Sequence, residues 1–298
     1  MNNPRFRGCF SIPMTPYDAD DRIDEQVLRA QIEFCVTRSA GVCTPVMVSE
    51  FETLSEDERR LMIRVPLDQA RGRVPVIACC TATNTPLAVR YARFAEEHGA
   101  AMLIAMPPLT MRRWDFPATV AYFRALAEAV SIPVMIQNAP LHGLSLSASE
   151  VEQLCDQIER VCWVKEEASP PPVLVTNLLS RKHPAIRGLM TGHGGLYMPT
   201  DFYRGAEGCI LACQFCDLLQ RLWNLLEAGE ESAARDLHEA LLPALVLEQY
   251  LGRQFSKHIM VRRGIFRNAT VRGHTRPLSA DDLREIDRCW ERLEPLIR

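Results

Sequence analysis

The chain has 298 residues, of which 47% are hydrophobic and 24% are charged, values typical of a soluble globular protein with one large domain or two ordinary ones. Its formal net charge of −3 and its scattered arginines argue against a nucleic-acid partner. No apolar run is long enough to cross a bilayer and the N-terminal segment lacks a signal-peptide pattern, so we predict no membrane partner.

The cysteines are numerous but show no metal-binding pattern. Eleven of them are spread through the apolar segments, which favours a reducing, cytoplasmic compartment in which they act as small buried side chains. Cys213 and Cys216 form a lone C-x-x-C without a second pair or clustered histidines. We therefore predict no metal site.

Eight short apolar runs follow one another along the chain, and each is followed by a longer amphipathic segment. Their near-continuous apolarity is typical of parallel strands that are covered on both faces. The predicted strands span residues 9–16, 41–49, 74–80, 101–108, 133–140, 160–166, 185–192 and 208–215.

Helical signals separate the predicted strands. Ser55 and Glu58 have the spacing of a capping box, and Pro86 and Gly99 stand at the start and the end of another segment. After the eighth strand the alternation stops, and residues 216–298 are predicted to be helical throughout. The helices between the strands are predicted over residues 24–38, 55–70, 85–100, 116–130, 148–157, 171–181 and 197–204.

This alternation predicts a (β/α)8 TIM barrel over residues 1–228, followed by a helical C-terminal extension over residues 229–298. A doubly wound open sheet is the rival fold. It is disfavoured because the segment after the first strand, "SIPMTPYDADD", lacks the GxGxxG phosphate-binding pattern.

Lys165 stands at the end of the sixth predicted strand, where a barrel carries its catalytic groups. Strand periodicity puts Lys165 and Glu167 on one face and Glu166 on the other. Burial would disfavour the charged form of Lys165 and leave more neutral amine to attack a carbonyl. A close Glu167 carboxylate would favour the charged form but would stabilise an iminium once it has formed. The two effects oppose each other.

A surface ion pair is the alternative interpretation of Lys165. Two observations count against it: the only other lysines, Lys182 and Lys257, have polar sequence surroundings, and several other strand ends are polar, including "VSE", "IQN" and "TGHGG". His193, in "TGHGG", could reach a substrate, although a loop histidine is more often structural.

Several segments resemble the dihydrodipicolinate synthase/N-acetylneuraminate lyase superfamily. "PVMVSEFETLSEDER" is similar to its G-T-T-G-E-x-x-x-L-S-x-x-E-R segment, "MIQNAP" to its Y-N-x-P motif, "WVKEEA" to the motif with the Schiff-base lysine, and "GAEGCIL" to the opening of its eighth strand. The resemblance covers almost the whole chain. It implies a TIM barrel, a homo-oligomer (tetramer or dimer), and class I aldolase-type chemistry on a 2-keto acid with no cofactor.

The sequence departs from the superfamily pattern at its proton-relay positions. Gln137 stands where a tyrosine carries protons, and Met47 and Val48 replace a threonine pair. The L-2-keto-3-deoxyarabonate dehydratase branch shows similar losses. It shares a Ser-Glu pair like Ser49-Glu50 and a K-x-E motif, whose glutamate is thought to replace the tyrosine as acid/base.

The resemblance to this branch implies dehydration of a 2-keto-3-deoxy sugar acid, with Lys165 forming the imine and Glu167 acting as acid/base. Backbone N–H groups near Val48 and Ser49 are expected to hold the substrate carboxylate, assisted by the Ser49 hydroxyl. The residues expected to bind substrate are Val48, Ser49, Gln137, Asn138, His142 and Ile210.

Three alternatives stay open. A base that takes the C4 hydroxyl proton would make the enzyme a retro-aldol 2-keto-3-deoxy acid aldolase. A pyruvate-dependent 4-hydroxy-tetrahydrodipicolinate synthase is disfavoured because its proton relay is missing. A non-catalytic sugar-acid sensor is disfavoured by the presence of Lys165, because a binding protein gains little from an imine-forming amine.

Overall fold

A computed structural model describes residues 6–111, 115–140, 145–273 and 275–297. Eight strands close into a barrel in chain order, and every neighbouring pair is parallel, including β8 with β1. The predicted (β/α)8 TIM barrel is confirmed. The strands are β1 (Gly8–Ile12), β2 (Gly41–Thr44), β3 (Val76–Cys79), β4 (Met102–Ala105), β5 (Val134–Asn138), β6 (Val161–Glu166), β7 (Gly188–Thr191) and β8 (Gly208–Ala212).

Within the described ranges, a helix follows each strand and three further helices form the C-terminal extension. The eight barrel helices are α1 (Glu25–Val36), α2 (Glu56–Ala70), α3 (Thr85–Glu97), α4 (Phe116–Ala129), α5 (Ala148–Gln157), α6 (Pro171–Ser180), α7 (Met198–Arg204) and α8 (Cys216–Glu227). The extension contains α9 (Glu231–Leu251), α10 (Arg253–Arg262) and α11 (Ala280–Ile297). The predicted boundary at residue 228 falls between α8 and α9.

Local signals explain several helix starts. The Ser55 hydroxyl accepts a hydrogen bond from the Glu58 N–H, and the Glu58 carboxylate accepts one from the Ser55 N–H, as the predicted capping box requires. Ser147 and Glu150 form the same box before α5. These caps satisfy N–H groups that a helix start otherwise leaves without partners.

The strands are shorter than the apolar runs that predict them. The second run is predicted to be a strand to residue 49, but β2 ends at Thr44 and residues Met47–Ser49 form a 3-10 turn. Pro45 has no N–H to continue the ladder of hydrogen bonds, so the chain leaves the sheet there. The turn lies at the C-terminal end of the barrel, where catalytic groups are expected.

The core has two main layers, one inside the barrel and one between its strands and its helices. Inward-facing side chains such as Phe10, Ile77, Ile104 and Met135 fill the barrel interior. Outward-facing strand residues pack against α1 to α6 in a larger cluster. A third cluster joins α8 to the extension, so α9 is held against the barrel rather than standing apart from it.

The prediction of helix throughout residues 216–298 is wrong for the segment between α10 and α11. Gly264, Gly273 and Pro277 interrupt it, and these residue types disfavour a helix interior. The segment has a structural role of its own. The Arg272 N–H donates to Glu50 Oε2 at 2.8 Å.

Lys257 is buried, contrary to the polar surroundings that its sequence suggests. Its side chain is fully inaccessible, its Nζ lies 2.5 Å from Glu50 Oε1, and it donates to the Thr270 carbonyl at 2.6 Å. The ring of Tyr17 lies 4.5 Å from the same ammonium. Lys257 therefore ties α10 to the turn that follows β2.

Candidate active site

A cavity of about 290 Å³ opens at the C-terminal ends of the strands, where barrel enzymes carry their active sites. Lys165 is the single lysine or arginine among the described residues that line it. The full lining is Ile12, Val46, Met47, Val48, Gln137, Ala139, Pro140, Lys165, Glu167, His193, Gly194, Ile210, Leu211, Ala212, Glu248 and Gln249.

Lys165 points into this cavity from β6 and is only 2% exposed. Its Nζ lies 2.8 Å from Glu167 Oε1. The carboxylate is also largely buried, with 18% of its side chain exposed, so solvent screens the pair weakly. The amine is therefore oriented by a carboxylate but has open space beside it.

Glu166 lies on the opposite side of β6, as strand alternation predicts. Its carboxylate accepts hydrogen bonds from Asn138 Nδ2 and from the Ala168 N–H, both at 2.8 Å. Burial raises the pKa of the Glu166 carboxyl to about 7, against the effect of the Asn138 hydrogen bond. Glu166 thus belongs to the packing between β5 and β6 rather than to the cavity.

Gln137 holds the other oxygen of Glu167. The register of β5 and β6 pairs Gln137 with Lys165, and Gln137 Nε2 donates to Glu167 Oε2 at 2.9 Å. The Gln137 side chain is 1% exposed, and its Oε1 has no hydrogen-bond partner among the described residues. The amide therefore orients the carboxylate and keeps an acceptor free for a ligand.

Two of the predicted substrate-binding residues do not line the cavity. Asn138 Nδ2 donates to the Leu146 carbonyl at 3.0 Å, and Asn138 Oδ1 accepts from the Leu146 N–H at 2.8 Å. Ser49 Oγ donates to the Pro13 carbonyl at 2.6 Å, and the Ser49 N–H donates to the Val46 carbonyl. These bonds give Asn138 and Ser49 structural roles, in place of the ligand roles predicted from the sequence.

The remaining predicted positions divide as follows. Val48 and Ile210 line the cavity, Val48 on the 3-10 turn and Ile210 on β8. His142 lies outside the described residues. Met47 and Val48 are the first residues of the 3-10 turn, where backbone N–H groups have no partner within the turn itself.

Three further polar residues line the cavity: His193, for which the sequence left contact with a substrate open, and Glu248 and Gln249, which were not predicted. His193 follows β7, and burial lowers the pKa of its imidazole, whose Nε2 has no partner in the described part of the chain. Glu248 and Gln249 come from α9 in the extension. One signal does point to Glu248: it occupies a helical stripe of buried residues with Leu241, Leu245 and Leu251.

The cysteines of the C-x-x-C pair are buried, and Cys213 Sγ lies 3.2 Å from Gln31 Oε1. Across the described ranges, three or more metal-ligating side chains nowhere come together. Within those same ranges, none of the helices combines the length and the apolar character needed to span a membrane.

The fold and the site define a (β/α)8-barrel protein whose cavity holds a buried lysine beside a carboxylate. The model of the dihydrodipicolinate synthetase family matches residues 5–291, and the chain therefore belongs to this family. Its members named below are lyases and synthases of small molecules.

Two curated relatives match almost full length. L-2-keto-3-deoxyarabonate dehydratase of Azospirillum brasilense is 27% identical over 99% of this chain and 97% of its own length. 4-Hydroxy-tetrahydrodipicolinate synthase of Chlorobium chlorochromatii is 28% identical over 96% of this chain and 97% of its own. The crystal structure of dihydrodipicolinate synthase from Rhodopseudomonas palustris superposes with a TM-score of 0.88 at 26% identity, covering 98% and 99% of the two chains.

Proposed function

We propose that the protein is a dehydratase that removes water from a 2-keto-3-deoxy sugar acid through an imine with Lys165. The observation that carries this proposal is the 2.8 Å contact between Lys165 Nζ and Glu167 Oε1 inside the cavity. At this separation the amine can attack one substrate carbon while the carboxylate takes a proton from the carbon next to it.

The substrate is a 2-keto acid, and its carboxylate would lie at the Met47 and Val48 N–H groups of the 3-10 turn. This position modifies the sequence-based expectation, because the Ser49 N–H and hydroxyl have protein partners. The keto carbon C2 would then face Lys165. Lys165 passes a proton to Glu167 and attacks C2 in its neutral form. Glu167 returns that proton to the hydroxyl group of the carbinolamine, which leaves as water, and a protonated imine results.

The imine cation acidifies the protons on C3. Glu167 removes one of them, and the electrons of the C3–H bond form the enamine. The enamine expels the C4 hydroxyl, which takes the same proton back from Glu167 and leaves as water. Hydrolysis of the unsaturated imine frees the deoxygenated keto acid and restores Lys165. The covalent imine takes the place of a cofactor.

Gln137 supports this assignment over synthase chemistry. It stands where the superfamily pattern has a proton-carrying tyrosine, and a side-chain amide cannot carry a proton at neutral pH. The proton transfers therefore fall to Glu167, the carboxylate that Gln137 holds. We further propose a cytoplasmic homo-oligomer, as the family resemblance implies.

Borohydride trapping tests the imine. The protein is incubated with pyruvate or with a 2-keto-3-deoxypentonate, reduced, and analysed by peptide mass spectrometry. We expect an adduct on Lys165 that Lys165→Ala abolishes, while Lys257→Met, which changes the other buried lysine, retains it. No adduct, or one that survives in Lys165→Ala, would favour a non-catalytic sensor.

Product analysis tests the reaction type. A panel of 2-keto-3-deoxy pentonates and hexonates is assayed for the deoxygenated keto acid and for pyruvate. We expect the deoxygenated keto acid with at least one member. Pyruvate and an aldehyde without it would make the enzyme an aldolase, and turnover only with pyruvate and an aspartate semialdehyde would make it a synthase.

A further inference from the structure

Glu248 is a buried carboxyl group on an otherwise apolar face of α9. The other buried residues of α9 are Ala234, Leu237, Leu241, Ala244, Leu245 and Leu251. Burying a carboxyl group costs free energy unless it has hydrogen-bond partners. Glu248 also lines the cavity that contains Lys165, so a ligand bound in that cavity would be placed to supply such a partner.

The protein itself satisfies Glu248 only in part. Gln214 Nε2 donates to Glu248 Oε2 at 2.8 Å, and Ser256 Oγ reaches Oε1 only at 3.5 Å. No lysine or arginine is paired with this carboxyl among the described residues. Burial raises the pKa of Glu248 to about 8, so the group is a neutral carboxylic acid near neutral pH. Such a group offers one donor and further acceptor sites.

The surroundings of Glu248 also place it near the loop that follows β7. A Cβ atom on Gly194 would lie 3.5 Å from Glu248 Oε2 and 3.0 Å from Gln249 Nε2. Glu248, Gln249 and this loop thus form a polar part of the cavity wall that β6 and the 3-10 turn do not supply. A keto acid held at C1 and C2 by those elements must place the rest of its chain elsewhere in the cavity.

We propose that Glu248 is a specificity-determining residue whose carboxyl group hydrogen-bonds the distal hydroxyl groups of the substrate. The preferred substrate is a keto acid with a hydroxylated tail and no second carboxylate. This inference rests on the proposed function for the keto-acid end of the ligand. The second carboxylate is disfavoured because the described lining offers no cation besides Lys165, and an unpaired buried charge is costly.

The test is calorimetric binding of pyruvate, 2-ketobutyrate, a 2-keto-3-deoxypentonate and 2-ketoglutarate to four proteins: wild type, Glu248→Leu, Glu248→Gln and Glu239→Leu. Glu239 is exposed on the same helix, so its variant controls for a change in α9 itself. The melting temperature of each variant shows whether it folds. The titrations are run in a Glu167→Gln background, so that the proposed substrate is turned over too slowly to contribute to the heat of binding.

We expect Glu248→Leu to lower the affinity for the 2-keto-3-deoxypentonate, the hydroxylated acid of the set, about tenfold. The affinity for pyruvate should fall by less than twofold. Glu248→Gln keeps one donor and one acceptor without charge, so it should stay within about threefold of wild type. Wild-type protein should bind the hydroxylated acid more tightly than 2-ketoglutarate.

Three results would overturn the inference. Equal losses for pyruvate and the hydroxylated acid in Glu248→Leu would indicate a structural role. Unchanged affinities would exclude contact with the ligand, and a Gln variant as weak as the Leu variant would exclude the neutral hydrogen-bonding role. If borohydride traps no adduct in wild-type protein, the imine chemistry is refuted instead. The comparison of affinities does not depend on that chemistry.

Discussion

The side-chain amide of Gln137 donates to Glu167 Oε2 at 2.9 Å, while Glu167 Oε1 contacts Lys165. Each oxygen of this carboxylate therefore has its own partner, one from β5 and one from β6. The two bonds hold Glu167 where it can reach the carbon next to an imine on Lys165. This arrangement makes Gln137 a positioning residue for the proposed acid/base.

Gln137→Leu should lower kcat about tenfold or more, because one oxygen of Glu167 loses its donor and the carboxylate becomes free to turn. The amount of Lys165 adduct with pyruvate should stay near that of wild type, since the amine is unchanged. Met135→Leu is a matched control, because Met135 is buried on the same strand and faces the barrel interior. Equal kcat values for Gln137→Leu and wild type would remove Gln137 from the mechanism.

Glu167→Gln should separate imine formation from proton transfer. An amide cannot accept the C3 proton, so we expect turnover to fall about a hundredfold or more, within the range that general acid/base catalysis contributes. The borohydride adduct should still form on Lys165. Steady-state rates and mass spectrometry on the same samples measure both quantities. Unchanged turnover would exclude Glu167 as the base.

Gly192 leaves room for the Glu167 side chain. A Cβ atom at this position would lie 2.1 Å from Glu167 Oε1, so Gly192→Ala must displace the carboxylate. We expect kcat to fall at least tenfold while the melting temperature changes by only a few degrees, because the displaced atom ends a flexible side chain. A variant with wild-type kcat would show that the reaction tolerates a shift of this carboxylate.

Lys257 and Glu50 form a buried ion pair that should matter for stability rather than for catalysis. Lys257→Met leaves the Glu50 carboxylate buried without its cation, which costs about 3–5 kcal/mol of the free energy of unfolding. The double variant Lys257→Met/Glu50→Gln should recover part of this loss. Urea denaturation measures both effects. A single variant within about 0.5 kcal/mol of wild type would contradict the assignment.

Stability should fall as pH rises because of Glu248. Its pKa is about 8 in the folded protein and close to 4.5 in the unfolded chain. Between these values the folded state holds a proton that the unfolded state has released, so a rising pH favours unfolding, with a slope of at most about 1.4 kcal/mol per pH unit.

Glu248→Gln removes this contribution. When the free energy of unfolding is measured by urea denaturation between pH 5 and 8, it should therefore fall less with rising pH for the variant than for wild type. Glu166, whose pKa is raised to about 7, contributes a similar fall up to that pH and is retained in both proteins. Parallel curves for the two proteins would show that Glu248 is ionised in the folded state.

Part of the site could be predicted because it depends on one strand. Lys165 and Glu167 are two residues apart at the end of β6, and strand alternation alone puts them on one face with Glu166 on the other. The roles of Ser49 and Asn138 could not be predicted in this way. Their side chains bond Pro13 and Leu146, and only the folded chain shows that these acceptors and donors are near.

The sequence by itself determined the barrel, its eight repeating units and the position of the reactive lysine, because periodicity and residue type act over a few neighbouring residues. Only the tertiary structure decided which distant groups meet that lysine. Pairing of β5 with β6 sets Gln137 against Glu167, and packing of the extension brings Glu248 to the cavity from more than 80 residues further along the chain. It also buries Lys257, since burial depends on what packs around a side chain and not on its neighbours in sequence.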